Sequence, residues 1–162
     1  MASNNELLFA ACKQDSLEIL EEVLSSDKTS FNINHRDGLG NSALHYATKH
    51  GSTGCLEVLM YYDGIKLNIA NNMEGDTPLH IAAGYKEPDV ALEMVETLIN
   101  SGASAKIKNK HQQTPADVAP HDTHAEVKKR LEEAALLSLV DLSDVVADDD
   151  DAASDGVPSD DD

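Results

Sequence analysis

Gly75-Asp76-Thr77-Pro78-Leu79-His80-Ile81-Ala82-Ala83 is the stretch that decides the fold. Gly75 can take a positive φ and turn the chain tightly. Thr77 is placed to cap a helix, its hydroxyl taking up an otherwise orphaned backbone N–H. Pro78 falls at the first helical position, where its missing N–H costs nothing and its fixed φ fits. Leu79, Ile81, Ala82 and Ala83 continue as helix formers. The alanines are small enough for a neighbouring helix to approach closely.

The stretch recurs. Thirty-five residues earlier stands Gly40-Asn41-Ser42-Ala43-Leu44-His45-Tyr46-Ala47. Thirty-seven residues later stands Gln113-Thr114-Pro115-Ala116-Asp117-Val118-Ala119. Near the start, Glu6-Leu7-Leu8-Phe9-Ala10-Ala11 falls in phase when Ala10 is set against Ala47 and Ala82. Self-similarity at this spacing marks a stacked-repeat protein.

Thr77-Pro78-Leu79-His80-Ile81-Ala82 resembles the T-P-L-H-x-A signature of the ankyrin repeat. Gly102-Ala103-Ser104-Ala105 resembles the Gly-Ala-Asp-Val segment that ends the second helix of that repeat. The resemblance covers roughly residues 5–135. It implies an all-α solenoid of helix–turn–helix units with short hairpin fingers between them, and a role in binding other proteins. Four repeats are expected, at about 5–36, 37–71, 72–108 and 109–137, within a domain spanning 1–140. Residues 141–162 are expected to form a disordered acidic tail.

Each repeat carries its own local signals. In the first, Leu7, Leu8, Ala10 and Ala11 fit an inner helix. Asp15 or Ser16 fits the N-cap of an outer helix with Leu17, Ile19, Leu20, Val23 and Leu24 at helical spacing. Phe31 and Ile33 alternate with Asn32 and Asn34, which suggests a short extended piece before the Asp37-Gly38 turn. In the second repeat, Gly51 is placed to end the inner helix, and Leu56, Val58 and Leu59 fit the buried side of the outer one. In the third, Glu87-Pro88-Asp89 lengthens the connection before a long outer helix. In the fourth, Asp117 stands where His45 and His80 stand, and Pro120 should cut the first helix short. Leu139, Val140, Leu142, Val145 and Val146 either extend the last helix or form a short apolar segment beside the acidic run.

Composition narrows the function. The chain has 162 residues, of which 41% are hydrophobic and only 4% aromatic, with no Trp. Its core must therefore be built from Leu, Ile, Val and Ala. The formal net charge is −18. Direct binding to nucleic acid is not expected, because phosphates need Lys and Arg to displace their counterions. A basic protein partner is favoured instead. Residues 141–162 hold ten Asp and neither Lys nor Arg, more than half of the net charge. Such a segment cannot bury enough apolar surface to offset its ordering entropy. No apolar run approaches the ~20 residues of a membrane span, and the N-terminus lacks the basic and apolar regions of a signal peptide. Cys12 and Cys55 form neither a CxxC motif nor a disulfide framework. A cytoplasmic or nuclear location, a monomeric state and two buried reduced thiols are expected.

No catalytic constellation appears. There is no P-loop, GxGxxG or GxSxG pattern, so no enzyme and no cofactor are expected. His121 and His124 lack the companions of a zinc site, and the Asp run lacks EF-hand order. The resemblance makes His45 and His80 structural bridges between backbone loops. Ser138 and Ser159 each have an acidic residue nearby in an acidic-directed kinase pattern.

The family binds partners with finger tips and the exposed side of the inner helices. Carried over by position, this points to Leu39 and Asn41 on one finger and to Met73, Glu74 and Asp76 on the next. It also points to Lys49, His50 and Tyr85 on the inner helices, and to Lys110, His111, Gln112 and Gln113 on the third finger. Asp148, Asp149, Asp150 and Asp151 would draw in a basic partner. The favoured function is a binder or chaperone of a basic client, such as a ribosomal or other nucleic-acid-binding protein. Small fungal ankyrin chaperones of ribosomal proteins are similar in plan. The alternative is a regulatory adaptor or inhibitor of another enzyme or complex.

Overall fold

The computed structural model describes residues 3–146, with side-chain surroundings to residue 138. Asp148–Asp151, and the rest of the expected tail beyond 146, lie outside the described residues. The chain separates into two compact units, Met1–Leu131 and Glu132–Asp162.

The first unit holds the repeats. Inner and outer helices alternate as α1 (Asn4–Gln14), α2 (Leu17–Leu24), α3 (Ala43–Lys49), α4 (Thr53–Met60), α5 (Pro78–Ala83), α6 (Pro88–Asn100) and α7 (Pro115–Val118). The last helix, α8 (Ala125–Val146), begins in this unit. It continues without a break past 137, so of the two readings of the apolar residues after Ser138, helix extension is the one observed through Val146. The inner row packs α1 on α3, α3 on α5 and α5 on α7, while α2, α4 and α6 form the outer row. Among the described residues there is no strand.

Local signals explain the helix ends. At α1, Glu6 N–H donates to Ser3 Oγ at 3.2 Å and Ser3 N–H donates back to Glu6 Oε1 at 2.8 Å, a reciprocal capping box. Ser16, not Asp15, caps α2, accepting Ile19 N–H at 3.3 Å. Asp15 instead turns the chain in the left-handed region at φ 51°. Its carboxylate reaches the next repeat and accepts Cys55 N–H at 3.0 Å, in the first turn of α4. Gly51 ends α3 with φ +68°, where L side chains are strained. A Cβ there would also lie 2.4 Å from the Tyr85 hydroxyl. The break at Pro120 holds, with α7 only four residues long.

The core runs through the stack as three rows at one repeat position each. Leu8, Leu44, Leu79 and Ala116 form one row, and Ala11, Ala47, Ala82 and Ala119 another. Cys12, Thr48 and Ala83 form the third, each fully buried. The phase expected for the first repeat is therefore corrected by one residue. Ala11 is buried between helices and Ala10 is only half-buried. Phe9 then takes the position of His45 and His80. It packs on the rings of His35 and Tyr46, at centroid distances of 5.6 and 5.1 Å. From the outer helices, Leu20, Leu56, Leu59, Met94, Val95 and Leu98 close the seam.

The Cys55 side chain and burial together push the Cys12 thiol far above its ordinary pKa. Neither thiol should react with a disulfide reagent under native conditions, and both should react fully in denaturant. Leu79→Ala should cost about 2–5 kcal/mol, read from urea unfolding, because Leu79 is wholly enclosed between repeats.

Candidate functional site

The finger loops are built by three Asx side chains. Asp37 Oδ1 accepts the N–H of Leu39 at 2.9 Å and of Asn41 at 3.0 Å. Asn71 Oδ1 accepts from Glu74 at 3.2 Å and Asp76 at 3.1 Å. Asn109 Oδ1 accepts from His111 at 2.9 Å and Gln113 at 3.0 Å. A backbone bond joins the two ends of each loop: Asp37 N–H to Asn41 O at 3.0 Å, Asn71 N–H to Asp76 O at 2.9 Å, and Asn109 N–H to Gln113 O at 2.9 Å. The fingers are turns of this kind, not strand ladders. A short loop can satisfy its backbone through its own side chain. The expected extended piece is short: Phe31 has extended backbone at φ −152° and ψ 163°, Phe31 and Ile33 are both buried, and a turn follows with His35 N–H donating to Asn32 O at 2.9 Å.

Adjacent fingers are stitched together. Asn72 N–H donates to Leu39 O at 2.9 Å, and Lys110 N–H to Glu74 O at 2.8 Å. Asn71 Nδ2 donates to Asn41 Oδ1 at 3.2 Å, and Asn109 Nδ2 to Asp76 Oδ1 at 2.9 Å. Arg36 reaches across to Ala70 O at 2.9 Å.

Beneath the fingers lie two buried histidines. Ser42 N–H donates to His45 Nδ1 at 3.0 Å. An N–H only donates, so Nδ1 carries no proton. Nε2 therefore bears it and donates to Asp76 O at 2.9 Å. His80 repeats the arrangement, accepting Thr77 N–H at 3.1 Å and donating to Gln113 O at 2.9 Å. The Thr77 hydroxyl lies 2.9 Å from the same Nδ1. In the last repeat Asp117 caps its own helix start, accepting Thr114 N–H at 3.0 Å. There His124 acts from the other direction, donating from Nε2 to Tyr85 O at 2.6 Å.

The residues expected to meet a partner fall into distinct settings. Leu39 and Met73, 50% and 63% exposed, sit on neighbouring finger tips. Asn41 and Asp76 are half-buried and occupied by the finger stitching. Lys49 and Tyr85 share a shallow depression with His50, Ile81, Gly84 and Lys86. Burial, then the charges of Lys49 and Lys13, hold the His50 imidazole below its usual pKa, so this inner side gathers positive charge.

The outer helices are different. They carry Glu18, Glu21 and Glu22 on α2, Glu57 on α4, and Asp89, Glu93 and Glu96 on α6, with no Lys or Arg. All seven are exposed. Among the described residues none of them pairs with a cation. Tyr61, which closes α4, is 89% exposed. Its neighbour Tyr62 packs on Phe31 at 6.0 Å between ring centroids. Sequence reasoning missed three features. Asx residues opening every finger at a near-constant spacing could have revealed the stitching. Charge sorted by helix could have revealed the acidic side. For the role of His124, no signal short of the fold exists.

Among the described residues, no group of three His, Cys, Asp or Glu is placed to hold a metal ion, and no helix is long and apolar enough to cross a membrane.

Stacked helix pairs with bridged, projecting turns define an α-helical repeat scaffold. A family model of three ankyrin repeats matches residues 2–71, and a single ankyrin-repeat model matches residues 74–110. An ankyrin repeat-containing protein of Saccharomyces cerevisiae is 34% identical over 144 residues, which cover 83% of this chain and 80% of that protein. Protein phosphatase 1 regulatory subunit 27 of Mus musculus is 31% identical over 119 residues, 74% of this chain and 72% of that protein. A probable serine/threonine-protein kinase of Dictyostelium discoideum is 28% identical over 109 residues, 67% of this chain but 13% of the kinase. The chain belongs to the ankyrin-repeat family, whose repeats are protein–protein interaction modules.

Burial, followed by the charge of Arg36, holds the His45 imidazole below its ordinary pKa, against the opposing pull of the Asp76 carbonyl and carboxylate. Folding thus favours the neutral ring. The stability it contributes is complete above the unfolded value of about 6.5 and declines as pH falls below it towards the lower folded value. His45→Asn should destabilise by about 1–3 kcal/mol at pH 7.5. In urea unfolding at pH 5.5, the gap between the variant and the native sequence should narrow.

Proposed function

We propose that this protein binds a basic client, shielding its Lys- and Arg-rich parts as a chaperone does for a ribosomal or other nucleic-acid-binding protein. The observation that carries this reading is the row of exposed carboxylates on α2, α4 and α6 without a single cation among them. Asp148–Asp151 add to the same sign of charge. The summed field would speed encounter with a cationic partner and reject nucleic acid. A monomer working in the cytoplasm or nucleus fits this role.

A second reading, a regulatory adaptor or inhibitor, is favoured by the likeness to a phosphatase regulatory subunit. Here the finger tips and inner depression would make the contact, with Met73 and Tyr85 as the apolar anchors.

Affinity capture with the full chain separates the two. A basic client should dissociate as salt rises from 0.05 to 0.5 M, since exposed charges are screened within about a Debye length. Replacing Asp148–Asp151 by Asn should weaken its capture. An adaptor's partner should ignore that change and be lost with Met73→Ala or Tyr85→Ala.

A further inference from the structure

The groove between α4 and α6 is lined by Glu57, Met60, Tyr61, Thr97, Asn100 and Ser101. It lies on the outer row, away from the finger tips and the inner depression. Tyr61 stands in it almost wholly in water, the most exposed of the large hydrophobic side chains described. Glu57 precedes Tyr61 by four residues, so the carboxylate and the ring are neighbours along one side of α4. Neither Glu57 nor Tyr61 has a cation partner among the described residues.

An exposed aromatic face beside an unpaired carboxylate is a receptor for a cation. The ring attracts a guanidinium or ammonium through its quadrupole, and the carboxylate supplies the opposing charge. The groove walls give the apolar stem of an Arg or Lys something to lie against. Met60 adds an adaptable apolar surface. Around it, Glu93 and Glu96 on α6 carry the same sign of charge and are exposed. Arg130 stands at the edge of the groove, donating to Asn100 Oδ1 at 3.4 Å.

We infer that this α4–α6 groove is the docking site for an Arg- or Lys-bearing segment of a partner protein, with Tyr61 and Glu57 as its two contacts. The inference rests on the reading of a basic client and assigns that client to the outer row, not the inner one. The inner depression, with Lys49 and Lys86 in it, is unsuited to a cationic segment.

The test is a titration of the full chain, ¹⁵N-labelled, with a nona-arginine peptide in low salt. Amide shifts should concentrate on Glu57–Tyr61 and Thr97–Ser101. Tyr61→Ala should weaken binding about two- to fivefold, the range for an exposed cation–π contact, and Tyr61→Phe should restore it. Glu57→Gln should weaken it by a similar factor, with the difference vanishing at 0.5 M salt. Arg130→Gln should strengthen it. Tyr85→Ala should change nothing. If the peptide binds the native chain and both groove variants equally, the groove is refuted while the basic client survives. Absence of any binding in low salt would remove the client and the groove together. A dimer in sedimentation velocity that Tyr61→Ala dissolves would assign the groove to a second copy and overturn the proposal.

Discussion

His45 and His80 each bind three pieces of chain with one neutral ring: the residue that starts their own helix, the helix itself, and the next finger. The rest of the architecture depends on this bridge. Helix pairs stacked side by side share no backbone ladder, so packing alone leaves their rotation and slide loosely fixed. A buried ring with one donor and one acceptor fixes both. It can do so in one tautomer only, and its unmet hydrogen bonds would be costly in the interior. The carbonyls it holds, Asp76 O and Gln113 O, also close the finger turns through Asn71 and Asn109. Histidine bridge and finger shape are therefore one coupled unit. The Leu39 and Met73 tips are presented on a rigid base.

The repeated helices were legible because their signals are local and chemical. Thr-Pro before Leu-His fixes where a helix starts, and that register carries the buried Leu and Ala rows with it. Where the anchors are missing, the pattern is ambiguous. The first repeat has neither Pro nor His at its start, and Ala10-Ala11 offers two equivalent phases one residue apart. Only burial against α3 selects Ala11. Asp15 looked like a helix cap because it precedes one. In the fold it caps a different helix, forty residues on, an interaction that no local pattern encodes. Before the first finger, Phe31 and Ile33 alternate with polar residues as an extended piece would, but only Phe31 keeps that backbone, because Asn32 Oδ1 accepts Asn34 N–H and turns the chain at once.

The candidate surface was less legible for a related reason. Position within a repeat says which residues project, but not which are already engaged. Asn41 and Asp76 project towards the neighbouring finger and are taken up by it. Tyr61 follows the last turn of α4 next to another tyrosine, and nothing in the sequence distinguishes them. The fold does: Tyr62 packs against Phe31 and Tyr61 faces solvent.

Stability gives no account of the outer row's charge. Glu18 and Asp89 sit in first turns, where the helix dipole favours an anion. Glu21, Glu22, Glu93 and Glu96 lie further along and gain little from it. Spaced three or four apart, Glu18 with Glu21 and Glu22, and Asp89 with Glu93, repel each other by about 0.2–0.5 kcal/mol per pair. Lys or Glu at these exposed positions would serve the core equally well, since none of these side chains is buried. Mixed charge would even add favourable pairs along each helix. The helices α2, α4 and α6 forgo such pairs on three successive repeats, while α1 and α3 carry Lys13 and Lys49. That arrangement adds nothing to the core; it sets the sign of the field that the outer row presents to solvent.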